Sequence, residues 1–418
     1  MGNTFAEKVL MQHSNSEELS PGDIATIEPD RVMSHDNTAF IVKKFNDTGV
    51  SRVWNREKIV VIYDHCIPPE KPEYSANHLE GEAFAKEQGI KNFLGATAGV
   101  SHQVMVERGF VLPGQIVVGA DSHSTLYGAL NAFGVPVNRT EMAGIWATGR
   151  IWLRVPQSIQ VRLEGGLQEG VYSKDVLLKL LSLLRADGAA YKCIEFTGST
   201  VNGLSMSARM TMTNMGVELG AKASVMEFDG KTREFLQART KEEYEPVRAD
   251  EDARYERVVE LDVDSLEPQV ACPHTVDNVK PLSEVAGTRV HQGYLGSCTN
   301  GRMEDLEIAA KVLEGRKVAE GTRLVVYPAS VEVLREAKQQ GVIDSLVESG
   351  AQIMTASCGP CFGVVGATLK DNEVCISSSN RNFCGRMGSK KSLVYLSSPA
   401  VVAASCIEGK IADPRNYL

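Results

Sequence analysis

Two cysteines stand three apart in Cys358-Gly359-Pro360-Cys361, and a third, Cys298, sits in Gly296-Ser297-Cys298-Thr299-Asn300-Gly301-Arg302. Read alone, a C-G-P-C pair is the pattern of a dithiol site whose first thiolate attacks a disulfide. Zinc would need a second ligand pair, and the chain has no other C-x-x-C or C-x-x-H. A pair of inert buried cysteines is the bland reading. It is weakened by Gly359, Pro360 and Gly363, which make the segment a turn rather than a core helix. Two further groups carry acid–base chemistry: Asp64-His65 and Asp121-Ser122-His123. An imidazole can give and accept a proton near neutral pH, although a lone histidine after a strand is more often a satisfied structural residue. Arg381 and Arg386 read by themselves as surface arginines, and Gly385 to Lys390 misses the spacing of a phosphate loop.

These side chains need elements to aim them. Ile59 to Tyr63 is a buried-strand run that ends where Asp64, His65 and Cys66 begin, and Ile116 to Ala120 does the same before Asp121, Ser122 and His123. Arg323 to Tyr327 opens a third such unit, followed by a helical pattern from Val331 to Gln340. A short strand-like run, Gly293 to Leu295, precedes Cys298, and a helix pattern from Met303 to Leu313 follows it. Thr299 and Asn300 are the expected N-cap residues, with Glu304 and Asp305 suited to the first turn. The free N–H groups of such a helix start favour anions, thiolates included. In open α/β sheets ligands gather at the carboxyl ends of strands, where these polar tails lie.

The alternation of strand and helix without a repeat predicts an α/β fold. A composition shift near Pro156 opens a second segment with the strand-like IQVRLEG, a helix over Lys174 to Arg185 and a Met-rich stretch around Met206 to Met215. Between Lys241 and Arg257, 11 of 17 residues are charged, which suits a solvated helix or connector. Pro268, Pro273 and Pro281 then suggest a linker. Three domains are expected, over 1–157, 158–270 and 271–418.

A chain of 418 residues with 43% hydrophobic and 23% charged content can bury several cores. Its 44 Lys and Arg against 53 Asp and Glu give a net charge of -9, without a basic stripe, so nucleic acid is not an expected partner. Nine scattered cysteines do not make a secreted disulfide scaffold. The start lacks a cationic segment followed by an apolar run, and no stretch reaches the roughly 18 apolar residues of a membrane helix. A reducing, cytoplasmic location without membrane contact is therefore expected.

Gly296-Ser297-Cys298-Thr299-Asn300, the distant Cys358-Gly359-Pro360-Cys361 and Ser379-Asn380-Arg381-Asn382-Phe383, in this order, resemble the aconitase superfamily. The likeness is to the large subunits of its two-subunit hydro-lyases, of the isopropylmalate dehydratase and homoaconitase type, and covers essentially the whole chain. It implies three α/β/α domains packed around one 4Fe–4S cluster held by Cys298, Cys358 and Cys361. Three cysteines leave one iron open to substrate, where a Lewis acid can loosen a hydroxyl. The implied reaction is reversible dehydration of a hydroxy di- or tricarboxylic acid. Asp64, His65, His102, Asp121, Ser122 and His123 match the family's acid and hydrogen-bonding positions, with His102 or His123 as expected proton donors. His35 matches a substrate-facing position. Asn214 and Glu218 match a pair near the cluster, and their spacing would put both on one helix face. Asn380, Arg381 and Arg386 match carboxylate-binding positions, for which the planar guanidinium suits a clamp.

The family's alpha-proton base is a serine on a separate swivelling domain, and no segment here is left over for that domain. The resemblance therefore implies a smaller partner subunit of roughly 160 to 200 residues that caps the cluster face. Two places depart from the family's usual runs: Ser124-Thr125-Leu126, and Val137-Asn138-Arg139-Thr140-Glu141 with its additional cation. These bear on the choice of hydroxy acid more than on the reaction, and keep dimethylmalate, homoaconitate and citraconate enzymes in view beside isopropylmalate dehydratase.

Overall fold

A computed structural model describes residues 2–418. Its strands fall into a two-stranded, a four-stranded, a five-stranded and a seven-stranded sheet. The five-stranded sheet is parallel throughout, in the spatial order Asn92–Gly95, Ile59–Ile62, Arg31–Ser34, Ile116–Gly119, Phe133–Pro136. Ile59–Ile62 and Ile116–Gly119 are buried along their whole length, as expected of strands covered on both faces. The first three strands of this sheet, Arg31–Ser34, Ile59–Ile62 and Asn92–Gly95, step outward in one direction. The chain then returns to the opposite side of Arg31–Ser34 to place Ile116–Gly119. Strand order thus reverses between these two neighbours, which opens a crevice at their carboxyl ends.

The seven-stranded sheet repeats this device. Gln292–Leu295, Arg323–Val326 and Ala351–Ile353 run outward, and Val374–Ser377 and Leu393–Leu396 are laid on the other side of the first. The reversal lies between Gln292–Leu295 and Val374–Ser377. Where the prolines suggest a linker, the chain instead forms Gln269–Ala271 and Val279–Pro281, an antiparallel edge added to this sheet. Pro281 is tolerated there because an edge strand can spare an N–H.

The four-stranded parallel sheet, in the order Ala223–Met226, Cys193–Thr197, Ser158–Glu164, Arg257–Asp262, carries the helices Ser173–Leu184 and Met206–Asn214. The charged stretch before Arg257 is an irregular connector with no helix, pinned where the Val247 N–H donates to Asn131 Oδ1 at 2.9 Å. Ser122–Leu130 folds as tight 3-10 turns against Ala223–Met226. A Cβ on Gly128 would stand 1.7 Å from the Ser224 carbonyl oxygen, so only glycine permits that approach.

The two larger sheets meet at their carboxyl ends. The Val100 N–H donates to the Ala329 carbonyl at 2.8 Å, and the Cys358 N–H donates to the Asp64 carbonyl at 2.9 Å. Their two crevices therefore face one another. Among the described residues no helix is long and apolar enough to cross a membrane.

Candidate active site

Between the facing crevices lies a cavity of about 910 Å³. Cys298, Cys358 and Cys361 line it, with His35, His65, His102, Asp121, Ser122, His123, Asn380, Arg381 and Arg386. Four of the chain's eight histidines thus face one space. Asp64, Asn214 and Glu218 do not line it and stand one layer behind.

The cysteines arrive by two turns. Cys298 follows Gln292–Leu295 through Gly296 and Ser297, and Ser297 holds φ at 80°, a left-handed conformation rare outside glycine. The following helix, Met303–Leu313, begins at N-cap Arg302, not at Thr299 or Asn300. The Arg302 N–H donates to Asp305 Oδ2 at 2.9 Å, and its buried guanidinium donates to the carbonyls of Cys298 and Thr299 at 2.7 and 2.6 Å. Thr299 and Asn300 are engaged elsewhere, donating to Asn214 Oδ1 and to Asp305 Oδ1. The cysteine turn is therefore shaped by an arginine rather than by a helix start. In the other turn Gly359 has φ +50°, and a Cβ there would meet the Tyr327 ring at 2.5 Å. The glycine lets the backbone between the two cysteines pass against that ring.

All nine cysteines are free thiols. Burial pushes the thiols of Cys298 and Cys358 upward, and Asp121 acts in the same direction on Cys298, as Asp64 does on Cys358. A dithiol nucleophile needs the opposite shift. Metal ligation deprotonates such thiols outright, and the surroundings suit it. Asn380 Nδ2 donates to Cys298 Sγ at 3.4 Å, and its Oδ1 lies 3.7 Å from Cys361 Sγ. Asn214 Nδ2, buried beside Cys298, has no partner in the chain while its Oδ1 accepts from Thr299. Three buried thiols open to one cavity, with an unused donor beside them, fit an iron–sulfur cluster bound by three residues.

Opposite the cysteines is a carboxylate–imidazole network. His65 Nδ1 donates to Asp64 Oδ1 at 2.6 Å, and its Nε2 stands 3.8 Å from Asp121 Oδ2. Burial alone would lower the His65 pKa, but Asp64, Asp121 and Asp36 override it and raise it to about 10. His102 is tied at both nitrogens, to Asp121 Oδ1 at 2.7 Å and to the Tyr127 hydroxyl at 3.0 Å. His123 Nε2 meets Glu218 Oε1 at 3.0 Å, and the Arg381 guanidinium is paired with the same oxygen at 2.8 Å. Asp121 also accepts from the His123 N–H at 2.8 Å. Burial works against its ionisation, yet hydrogen bonds from His102 and His123 hold its pKa well below the usual carboxylate range. His35 stacks on His65 with ring centroids 4.3 Å apart. The Arg386 guanidinium lies over Phe362 at 4.9 Å, with no protein partner for Nε.

Asn214 and Glu218 do not share a helix face. The α-helix ends at Asn214 and continues as the 3-10 turns of Met215–Leu219. That change of winding sends Asn214 to Thr299 and Glu218 to His123 and Arg381.

Asp36 is a site residue that sequence reasoning passed over. Its Oδ2 accepts from the N–H groups of Asp64 and His65 at 2.8 and 2.7 Å, and its Oδ1 from Cys66 N–H and His78 Nε2 at 3.0 and 2.7 Å. One carboxylate thus shapes the turn carrying Asp64 and His65. Its place directly after His35, in a tail following a strand, was the available signal. Ligand-type atoms of His35, Asp36, Asp64 and His65 lie within 4.8 Å of one another. These carboxylates are already saturated by donors, since Asp64 Oδ2 accepts from the Ser101 N–H at 2.7 Å, and the group reads as a hydrogen-bonded cluster. Arg139 lines the cavity mouth, stacked over Phe40 at 4.5 Å.

Residues 7–409 match the model of the aconitase family (aconitate hydratase). The 3-isopropylmalate dehydratase large subunit 1 of Methanopyrus kandleri is 48% identical, covering 100% of both chains. A probable 3-isopropylmalate dehydratase large subunit of Methanothermobacter thermautotrophicus is 46% identical over 99% of each chain. A probable methanogen homoaconitase large subunit of the same organism is 44% identical over 98% of this chain and 97% of that one.

Proposed function

Because the chain belongs to the aconitase family of hydro-lyases, we propose that it is the large subunit of a two-subunit dehydratase acting on 3-isopropylmalate. The observation that carries this reading is the convergence of three cysteines and four histidines from two sheets on one cavity. Relatives named as 3-isopropylmalate dehydratase large subunits support the substrate, and their word "subunit" supports a smaller partner. The relative named as a homoaconitase supports homoaconitate as the alternative.

Cys298, Cys358 and Cys361 would hold a 4Fe–4S cluster. When bound, it supplies a Lewis-acid iron with a position open to a substrate hydroxyl and carboxylate. The chain's own residues supply the proton donor and the carboxylate clamp. His65 is the proton donor best placed for the leaving oxygen: Asp64 holds it charged, and its Nε2 has only the 3.8 Å approach of Asp121. His102 has both nitrogens committed and His123 leans on Glu218, so these two are better suited to holding Asp121 and Arg381 in place. Arg386 lines the cavity with its Nε unpaired in the chain, which suits its guanidinium to a substrate carboxylate. The base for the alpha proton is assigned to the partner subunit.

The test is to co-purify the chain anaerobically with its smaller partner and assay hydration of isopropylmaleate, homoaconitate, cis-aconitate, citraconate and dimethylmaleate. Isopropylmaleate should be turned over best; a preference for homoaconitate would move the assignment to the alternative. In Cys298→Ser the brown absorbance at about 400 nm of an iron–sulfur protein should vanish together with activity. A colourless, iron-free and fully active enzyme would sink the hydro-lyase reading.

A further inference from the structure

The turn bearing Asn380 and Arg381 is gripped from behind by a lysine of another sheet's helix. Lys174, in the first turn of Ser173–Leu184, is fully shielded from solvent. Its Nζ donates to the carbonyl of Ser378 at 2.8 Å and to that of Ser379 at 2.6 Å. Consecutive carbonyls of an extended strand point to opposite sides. Both can reach one nitrogen only if the chain turns between them, directly after Val374–Ser377. Burial pushes the Lys174 pKa down to about 7, since a charged amine is costly away from water, and the two hydrogen bonds the amine makes both go to backbone oxygens.

The gripped turn is the one that faces the cavity. Ser378 Oγ accepts from the Gly296 N–H at 3.0 Å and contacts the Asn300 carbonyl at 3.2 Å, which ties the turn to the Cys298 loop. The next two residues are Asn380, hydrogen-bonded to Cys298 Sγ and to Thr299 Oγ1 at 2.9 Å, and Arg381, paired with Glu218. We propose that Lys174 is a positioning residue for the reaction: by drawing the Ser378 and Ser379 carbonyls onto one amine it aims Asn380 at the cysteine sulfurs and Arg381 into the cavity. The proposal rests on the hydro-lyase reading only for its kinetic consequence, since the aim of Asn380 is a property of the chain itself.

Adjacent Asp175 supplies the control. It is equally buried and ties the same helix to the seven-stranded sheet by accepting from the Gln269 N–H at 2.8 Å, without a hydrogen bond to residues 378–381. In the cluster-loaded complex, Lys174→Met should raise KM for the hydroxy acid by about tenfold, with a smaller fall in kcat. It should also make the cluster's midpoint potential more negative, because hydrogen bonds to the sulfurs tune that potential. Asp175→Asn should lower thermal stability while leaving KM and potential near wild type. A folded Lys174→Met complex with unchanged KM and potential would overturn the proposal, as would equal shifts in Asp175→Asn. Should Lys174→Met not fold, Lys174→Gln is measured in its place, and failure of both to fold makes Lys174 a fold residue and ends the claim. A wild-type complex inactive on every hydroxy acid would count against the function, while the potential would still decide on Lys174.

Discussion

Asn380 Nδ2 donates to the sulfur of Cys298 at 3.4 Å. Through its Oδ1 the same amide reaches to within 3.7 Å of Cys361 Sγ, so one side chain bridges two of the three thiols. Outer partners of this kind orient ligands, and losing one typically weakens metal retention or activity by about 10- to 100-fold. Asn380→Ala should therefore show that loss, read as iron remaining after gel filtration and as kcat. Full retention of both would remove Asn380 from the site.

Asp36 accepts from three successive backbone N–H groups, those of Asp64, His65 and Cys66. Removing the acceptor strands buried donors, each worth about 1–3 kcal/mol. Asp36→Ala should lower the thermal midpoint markedly and also depress turnover, because the turn that aims His65 loses its template. A variant as stable and as active as wild type would contradict this.

The Asp64–His65 pair carries a pH signature. Burial opposes the charge on His65, but Asp64 and then Asp121 outweigh it and raise the pKa to about 10 from 6.5. A folded value above the unfolded one means that the pair's stabilisation is complete below pH 6.5 and is lost as pH rises through about 10. The imidazole should stay protonated at neutral pH in an NMR titration, with an alkaline limb of activity far above 7. Asp64→Asn should move both to lower pH. A His65 signal titrating near its ordinary value in the wild type would refute the assignment.

Arg386 offers a guanidinium whose Nε is unpaired within the chain. Lysine keeps the charge but loses the planar fork. Arg386→Lys should raise KM for the hydroxy acid about tenfold or more, with stability near wild type. An unchanged KM would place the substrate carboxylates elsewhere.

Much of this was legible locally. Apolar runs such as Ile59 to Ile62 declare strands by composition, and the polar tail after each run declares where ligands gather. The helix expected over Met303 to Leu313 forms with those bounds because its apolar face recurs at the helical period. The cap at its start was not legible, since Thr299 and Asn300 are equally good hydrogen-bonding groups for partners far along the chain, and Asn214 and Asp305 bind them first. The helix face expected for Asn214 and Glu218 failed because the winding tightens at Met215.

By itself, the sequence determined which residues hold thiols, imidazoles and carboxylates, and which elements carry them, because side-chain type and hydrophobic period act over a few residues. Only the tertiary structure decided what each of these groups faces. The strand reversals that set Cys298 beside Asn380, and His35 beside Asp121, depend on sheet order, which no local pattern encodes. Lys174 and Asp36 become site residues for the same reason: a buried amine or carboxylate takes its meaning from the backbone groups folded around it.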